Sequence, residues 1–316
     1  MTSRKRSRAQ SPGQGAQASS NPPSRRRAPF RHIQETLAFP RELDELLPRK
    51  WKRLGDAVVL KLPEELLPLK ARVGEVYARA LGVGKVFRTT DVVSDEFRVP
   101  SVERLFGEDN EVVNIENGIS YCFDITRLMF SKGNTPERAR VCGMDMKGEK
   151  VLDMFAGIGY FTLPSAIHGK AEKVVAVEKN PVAFSYLQKN IALNRCQDRV
   201  ETRLGDNRVL DFFPDFDRVF MGYMFNPQDH LPRALCAISA KGGLIHYHCN
   251  LKRRELLRLR QEETIRASEL PEPISSALKE LPGQEGLELV ETRLFKVKSY
   301  APCIYHVVLD LSFEKT

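Results

Sequence analysis

The sequence predicts an α/β chain: a doubly wound, Rossmann-like sheet over residues 146–316, preceded by a smaller α+β domain over residues 31–145. Three observations predict it. Residues 150–161 read as a short apolar strand ending in Asp153, a small-residue turn with Ala156, Gly157 and Gly159, and an apolar helix-like segment. Apolar strands and amphipathic helices then alternate five times, which is the pattern of a parallel sheet with helices on its faces. A second apolar run, 174–178, ends in Glu178, about 20 residues after the glycines, as in nucleotide-binding sheets.

A chain of 316 residues has room for both domains and their cores. No stretch approaches the roughly 20 apolar residues of a membrane span, and no apolar run near the start suggests a secretory signal. No membrane association is expected, and no obligate protein partner is evident. Cys122, Cys142, Cys196, Cys236, Cys249 and Cys303 form no close pairs. They suit reduced thiols in a cytoplasmic setting, not a disulfide scaffold or a zinc knuckle. The formal net charge is +8. Residues 1–34 hold eight basic residues and no acid; removing these from the 49 leaves 41 basic against 41 acidic residues. The excess charge belongs to the tail.

Residues 1–30 are Ser, Arg, Gln, Pro and Gly with almost no large apolar side chains. Such a segment cannot offset its ordering entropy and is expected to be disordered. It reads as a solvated extension, a nucleic-acid-binding arm or nuclear address, or an Arg- and Ser-rich presequence lacking the usual apolar face. In the next domain, 57–62 reads as a strand and 66–81 has helical spacing. Residues 85–90, 111–116 and 119–123 read as strands, with Asn117-Gly118 as a hairpin turn. Trp51 lies among Arg49, Lys50, Lys52 and Arg53, and suits either a core plug or a base-stacking contact. Asn134 or Thr135 caps a helix over 137–144, with Pro136 in its first turn.

In the sheet domain, 174–178, 200–204, 218–221 and 243–247 read as strands, and 181–193 and 227–238 as helices. A strongly basic helix is expected over 251–267, and an antiparallel strand pair over 287–297 and 304–311.

Ligands of such sheets bind at the carboxyl ends of the strands, where strand order reverses. Asp153, Gly157, Gly159, Glu178 and Asp206 all fall at those ends. The glycines admit a ligand beside backbone. Glu178 is placed to take two ribose hydroxyls, and Asp206 to accept from an exocyclic adenine amine. Thr162 stands where G-x-G-x-x-G needs its third glycine, and no Gly-Lys-Ser/Thr loop exists, so phosphate binding is not indicated. An adenosine with a ribose and no phosphates points to S-adenosylmethionine, and the sheet to a class I S-adenosylmethionine-dependent methyltransferase-like fold. No metal is expected: His246, His248 and Cys249 lack a fourth ligand, and the two histidines read as structural strand-end residues. No general base is assigned.

The run Asp153-Met-Phe-Ala-Gly-Ile-Gly-Tyr-Phe161, an upstream Phe-Asp-Ile-Thr and a Ser-x-Gly-Asn-x-x-Glu-Arg segment resemble a family of enzymes acting at tRNA position 37. One branch methylates guanosine N1. The other transfers the 3-amino-3-carboxypropyl group of S-adenosylmethionine in wybutosine synthesis. The methyltransferase has an arginine where this chain has Gly133, and an asparagine where it has Gly222. Ser131 to Asn134, Met221-Gly222-Tyr223 and the Gly242 to His248 segment resemble the aminocarboxypropyl branch. That resemblance implies cofactor contacts at Ser131, Arg138, Glu178, Asp206 and Asn207, with Arg138 suited to fork onto the methionine carboxylate. It implies transfer to 4-demethylwyosine in the anticodon loop of tRNA-Phe, with release of methylthioadenosine. The alternatives are the guanosine-37 N1-methyltransferase and a non-catalytic tRNA-binding protein.

Overall fold

The computed structural model describes residues 27–90, 100–211, 215–260, 265–272, 274–279 and 287–315. Most of the basic tail lies outside the described residues. Its last part is helical, as α1 (Arg27–Leu37), followed by the single turn α2 (Arg41–Asp44). Ile33 and Leu37 lie one turn apart and are fully buried against Val73 and Tyr77 of α3 (Lys70–Leu81). That apolar face makes α1 a helix where the Arg-rich composition suggests none. The expected helix over 66–81 becomes regular only at Lys70, because Pro68 sits in a preceding 3₁₀ stretch.

Strands β1 (Trp51–Leu54), β2 (Ala57–Leu60), β3 (Lys85–Thr89) and β4 (Val102–Phe106) form one sheet in that order. Trp51 stands edge-on to Tyr77, with ring centroids 6.2 Å apart, so it packs β1 onto α3. A hairpin of β5 (Glu111–Glu116) and β6 (Ile119–Asp124) follows. Its Asn117-Gly118 turn has φ of 52° and 77°, the positive pair that a two-residue hairpin needs. The hairpin docks on the larger domain: Tyr121 and Phe123 share a core with Val151, Leu163, Val174 and Leu187.

Helix α4 (Thr135–Cys142) leads into the large sheet. Its elements are β7 (Lys150–Asp153), α5 (Thr162–Ile167), β8 (Lys173–Glu178), α6 (Pro181–Leu193), β9 (Val200–Leu204), β10 (Arg218–Met221), α7 (Leu231–Ala237), β11 (Gly242–Lys252), α8 (Arg253–Leu259), α9 (Ile274–Lys279), β12 (Leu287–Ala301) and β13 (Ile304–Lys315). The strand order is β12-β13-β11-β10-β7-β8-β9. The five strands from β11 to β9 are parallel, and β12 and β13 are antiparallel, as the sequence predicts. Successive residues of β7 serve opposite faces: Val151 joins the hairpin-side core, Leu152 the core with Leu235, Tyr247 and Leu309. The order reverses between β7 and β10, which opens the ligand crevice there.

The expected basic helix over 251–267 is a correction. β11 continues to Lys252 because its ladder with β13 runs unbroken from Gly242 opposite Glu314 to Lys252 opposite Ile304. Leu251, counted as the first apolar helix position, is buried as a strand residue. The helix is α8, seven residues long; residues 261–264 lie outside the described residues.

Candidate active site

The loop after β7 sets the site. Gly157 and Gly159 have φ of 57° and 102°, which favours glycine. A Cβ on Gly157 would fall 2.8 Å from the Tyr160 ring, and one on Gly159 would fall 2.8 Å from Leu163. Asp153 lies beneath, fully buried, accepting from Thr162 Oγ1 at 2.7 Å and the Phe155 amide at 3.3 Å. Burial pushes its carboxyl up to about 6. Thr162, the residue in the third-glycine position, thus serves as the partner of Asp153.

Glu178 ends β8 with its oxygens 2.7 Å from the amides of Gly157 and Asn180. Burial raises its carboxyl above the usual range. Asp206 follows β9 and is forked by Arg208, with Lys179 at 3.3 Å. The Arg208 fork holds its carboxyl well below the usual carboxylate range. Asn207 is buried, donating to Met154 O at 2.7 Å and meeting His230 Nδ1 at 2.6 Å. It ties the β9 loop to the β7 loop.

Upstream, Arg138 on α4 is almost fully buried under the Phe130 ring. Its guanidinium forks onto Glu116 of β5 at 2.5 and 3.0 Å and donates to Ser131 O at 3.1 Å. Ser131 Oγ accepts from Lys298 at 3.2 Å. A carboxylate reaching Arg138 therefore shares that guanidinium with Glu116.

These elements enclose a cavity of about 370 Å³, within the roughly 300–1,000 Å³ typical of small-molecule sites. Of the eight residues expected to contact a cofactor, Ser131, Arg138, Gly157, Glu178, Asp206 and Asn207 line it, while Asp153 and Gly159 do not. Those two shape the loop from behind. The opposite wall is aromatic. Phe155 and Tyr223 stack with centroids 4.9 Å apart, and Phe225 and His230 stand edge-on to Tyr223. Sequence reasoning assigned these rings no role, although Phe155 and Tyr223 fall inside the motifs it used.

Gly222 and Gly133 also have steric reasons. A Cβ on Gly222 would fall 2.8 Å from the Phe161 ring, and one on Gly133 would fall 2.8 Å from the Lys298 side chain. The strand histidines divide. His246 is structural, held by Asp310 at 2.6 Å and Arg218 at 2.8 Å. Burial works to raise Asp310, but His246 and Arg140 outweigh it and hold that carboxyl at about 2. His248 and His306, by contrast, line the cavity. Among the described residues no group of three or more His, Cys, Asp and Glu is arranged to hold a metal, and no helix is long and apolar enough to cross a membrane.

Comparison with known proteins places this site in a family. Residues 112–270 match the model of the TRM5/TYW2 methyltransferase domain, and residues 33–110 that of the TYW2 N-terminal domain. The tRNA(Phe) (4-demethylwyosine(37)-C(7)) aminocarboxypropyltransferase of Pyrococcus horikoshii is 39% identical over 286 residues, covering 90% of this chain and 97% of its own. The crystal structure of P. horikoshii TYW2 in complex with MeSAdo superposes with a TM-score of 0.75 at 38% identity, covering 91% of this chain and 100% of that one. The M. jannaschii TYW2 structure in complex with AdoMet gives 0.65 at 30% identity, covering 84% and 100%. The cavity at the β7–β10 switch point thus belongs to an S-adenosylmethionine-dependent transferase fold, and the chain is a member of the TRM5/TYW2 family, on its aminocarboxypropyltransferase branch.

Proposed function

We propose that this chain transfers the 3-amino-3-carboxypropyl group of S-adenosylmethionine to C7 of 4-demethylwyosine at position 37 of tRNA-Phe, releasing methylthioadenosine. The observation that carries it is the end-to-end match to the P. horikoshii aminocarboxypropyltransferase, 97% of whose length is covered. The geometry supports it. Glu178 offers acceptors for the ribose, Asp206 for the adenine amine, and the Ser131 and Arg138 wall faces the methionine end. Asp153, Gly159 and Asn207 hold the loops that frame the cofactor.

A sulfonium has three electrophilic carbons, and the one placed in line with the nucleophile reacts. Aminocarboxypropyl transfer requires the γ-carbon to face the base. Glycine at 133 and 222 leaves space that a larger residue would take from Lys298 and Phe161. We place the anticodon loop over the cavity mouth, with residues 31–145 as the tRNA side and 146–316 as the catalytic domain. The expected setting is the cytoplasm.

The test uses S-adenosylmethionine labelled in the adenosine, incubated with the chain and precursor tRNA. Labelled methylthioadenosine is the expected product. S-adenosylhomocysteine would make the chain a methyltransferase, and no turnover with intact tRNA binding would make it a non-catalytic tRNA-binding protein.

A further inference from the structure

The inner wall of the cavity carries a histidine pair to which the proposed cofactor contacts give no role. His248 on β11 and His306 on β13 both line the cavity and are almost fully buried. His248 Nδ1 lies 3.1 Å from His306 Nε2. The outer nitrogens, His248 Nε2 and His306 Nδ1, are buried and have no hydrogen-bond partner among the described residues.

Two imidazole nitrogens at this distance share one proton. A neutral pair joined in this way carries its second N–H on one outer nitrogen and a lone pair on the other. Glu137 decides which. Its Oε1 is 3.9 Å from His248 Nε2, and it is bridged to Arg140. A carboxylate on that side favours the N–H on His248 Nε2. His306 Nδ1 is then left with the lone pair.

The transfer proposed above, on which this inference rests, needs such an acceptor. The ring π electrons at C7 form the new bond to the γ-carbon. The C–S bond breaks, and its pair leaves on sulfur as neutral methylthioadenosine. The base is left cationic and still holds its C7 hydrogen; aromaticity returns when that proton departs. We propose that His306 Nδ1 is the general base that takes the C7 proton, with His248 and Glu137 as the positioning residues behind it. The C–H pair returns to the ring as the proton moves to Nδ1. The proton on His306 Nε2 shifts to His248 Nδ1, so the charge comes to rest beside Glu137, and it is lost to solvent after product leaves.

The charged and titratable groups facing the pair are Glu137 and Arg140 from α4, His246 from β11, Asp310 from β13 and Lys298 from β12. Burial first, then neighbouring cations and the other imidazoles, holds both rings at about 3. Both are neutral at pH 7, so the lone pair is available. A weak base suffices because a protonated aromatic carbon is a far stronger acid than imidazolium.

The test compares His306→Asn and His306→Gln with the native chain in single turnovers, using precursor tRNA with hydrogen or deuterium at C7. Both variants are expected to bind S-adenosylmethionine with native affinity and to form product on the order of 10²-fold more slowly. Both should show a primary isotope effect larger than that of the native chain. His248→Phe keeps a ring against Phe161 but breaks the pair, and should slow product formation less with the same isotope signature. Native-rate product formation, or slowing with no isotope effect, overturns the proposal. Loss of cofactor affinity or of folding in all three variants assigns the pair to the scaffold and overturns it equally. Release of S-adenosylhomocysteine by the native chain refutes the transfer itself, and is read before any variant is made.

Discussion

The Glu178 carboxylate accepts the Gly157 amide on one oxygen and the Asn180 amide on the other, with the Lys179 amide also turned to it. A carboxylate has about four lone-pair sites, so acceptor capacity remains for a ribose hydroxyl. Glu178→Ala removes it, and S-adenosylmethionine affinity measured by calorimetry should fall by about 1–3 kcal/mol. Unchanged affinity would place the ribose elsewhere. The place of Glu178 at the end of β8 beside the cavity was legible in the sequence because strand ends after the first βα turn come at a fixed spacing. Glu116 and His306 were not legible. The partner of Glu116, Arg138, is 22 residues away on another element, and His306 meets His248 across 58 residues of chain. Such pairings follow from packing and antiparallel register, which no local pattern encodes.

At the scale of elements, one side chain joins three. Asn190 of α6 is fully buried, accepts from the Cys122 amide at 2.7 Å and donates to the carbonyls of Cys122 and Ile158 at 3.1 and 3.0 Å. It pins strand β6 and the glycine loop to one helix. Asn190→Ala leaves those backbone groups without a partner, at about 1–3 kcal/mol for each one buried and unpaired. The midpoint of denaturant unfolding should drop by the equivalent of at least about 2 kcal/mol; a loss below half of that would show that water replaces the amide. The strands of the large sheet and its two longer crossover segments were readable from period and turn residues. Element ends were not. β11 outruns the expected 243–247 by five residues because β13 supplies a partner as far as Lys252, and α1 forms in an Arg-rich stretch because α3 supplies an apolar surface.

Across the whole molecule, the β11–β13 seam concentrates buried titratable groups. His246, Asp310, Arg140, Glu137, His248 and His306 run from the sheet interior to the cavity wall. The seam makes stability depend on pH with a definite sign. In the folded chain both His248 and His306 are depressed from 6.5 to about 3. Between those values the unfolded chain takes up protons at both positions and the folded chain does not. Stability is therefore full above about pH 6.5 and declines as pH falls toward 3, with a limiting slope of about 1.4 kcal/mol per pH unit for each histidine. Asp310, depressed from 3.8 to about 2, adds a further loss only below about pH 4. The window from pH 7.5 to pH 5 thus isolates the histidines from Asp310. Urea unfolding across that window should show a falling free energy for the native chain. The double variant His248→Phe, His306→Phe should show a clearly shallower fall, because it removes two of the groups that protonate on unfolding. An identical slope in both proteins would mean that the folded pair takes up protons as the unfolded chain does, and that burial does not hold these imidazoles neutral.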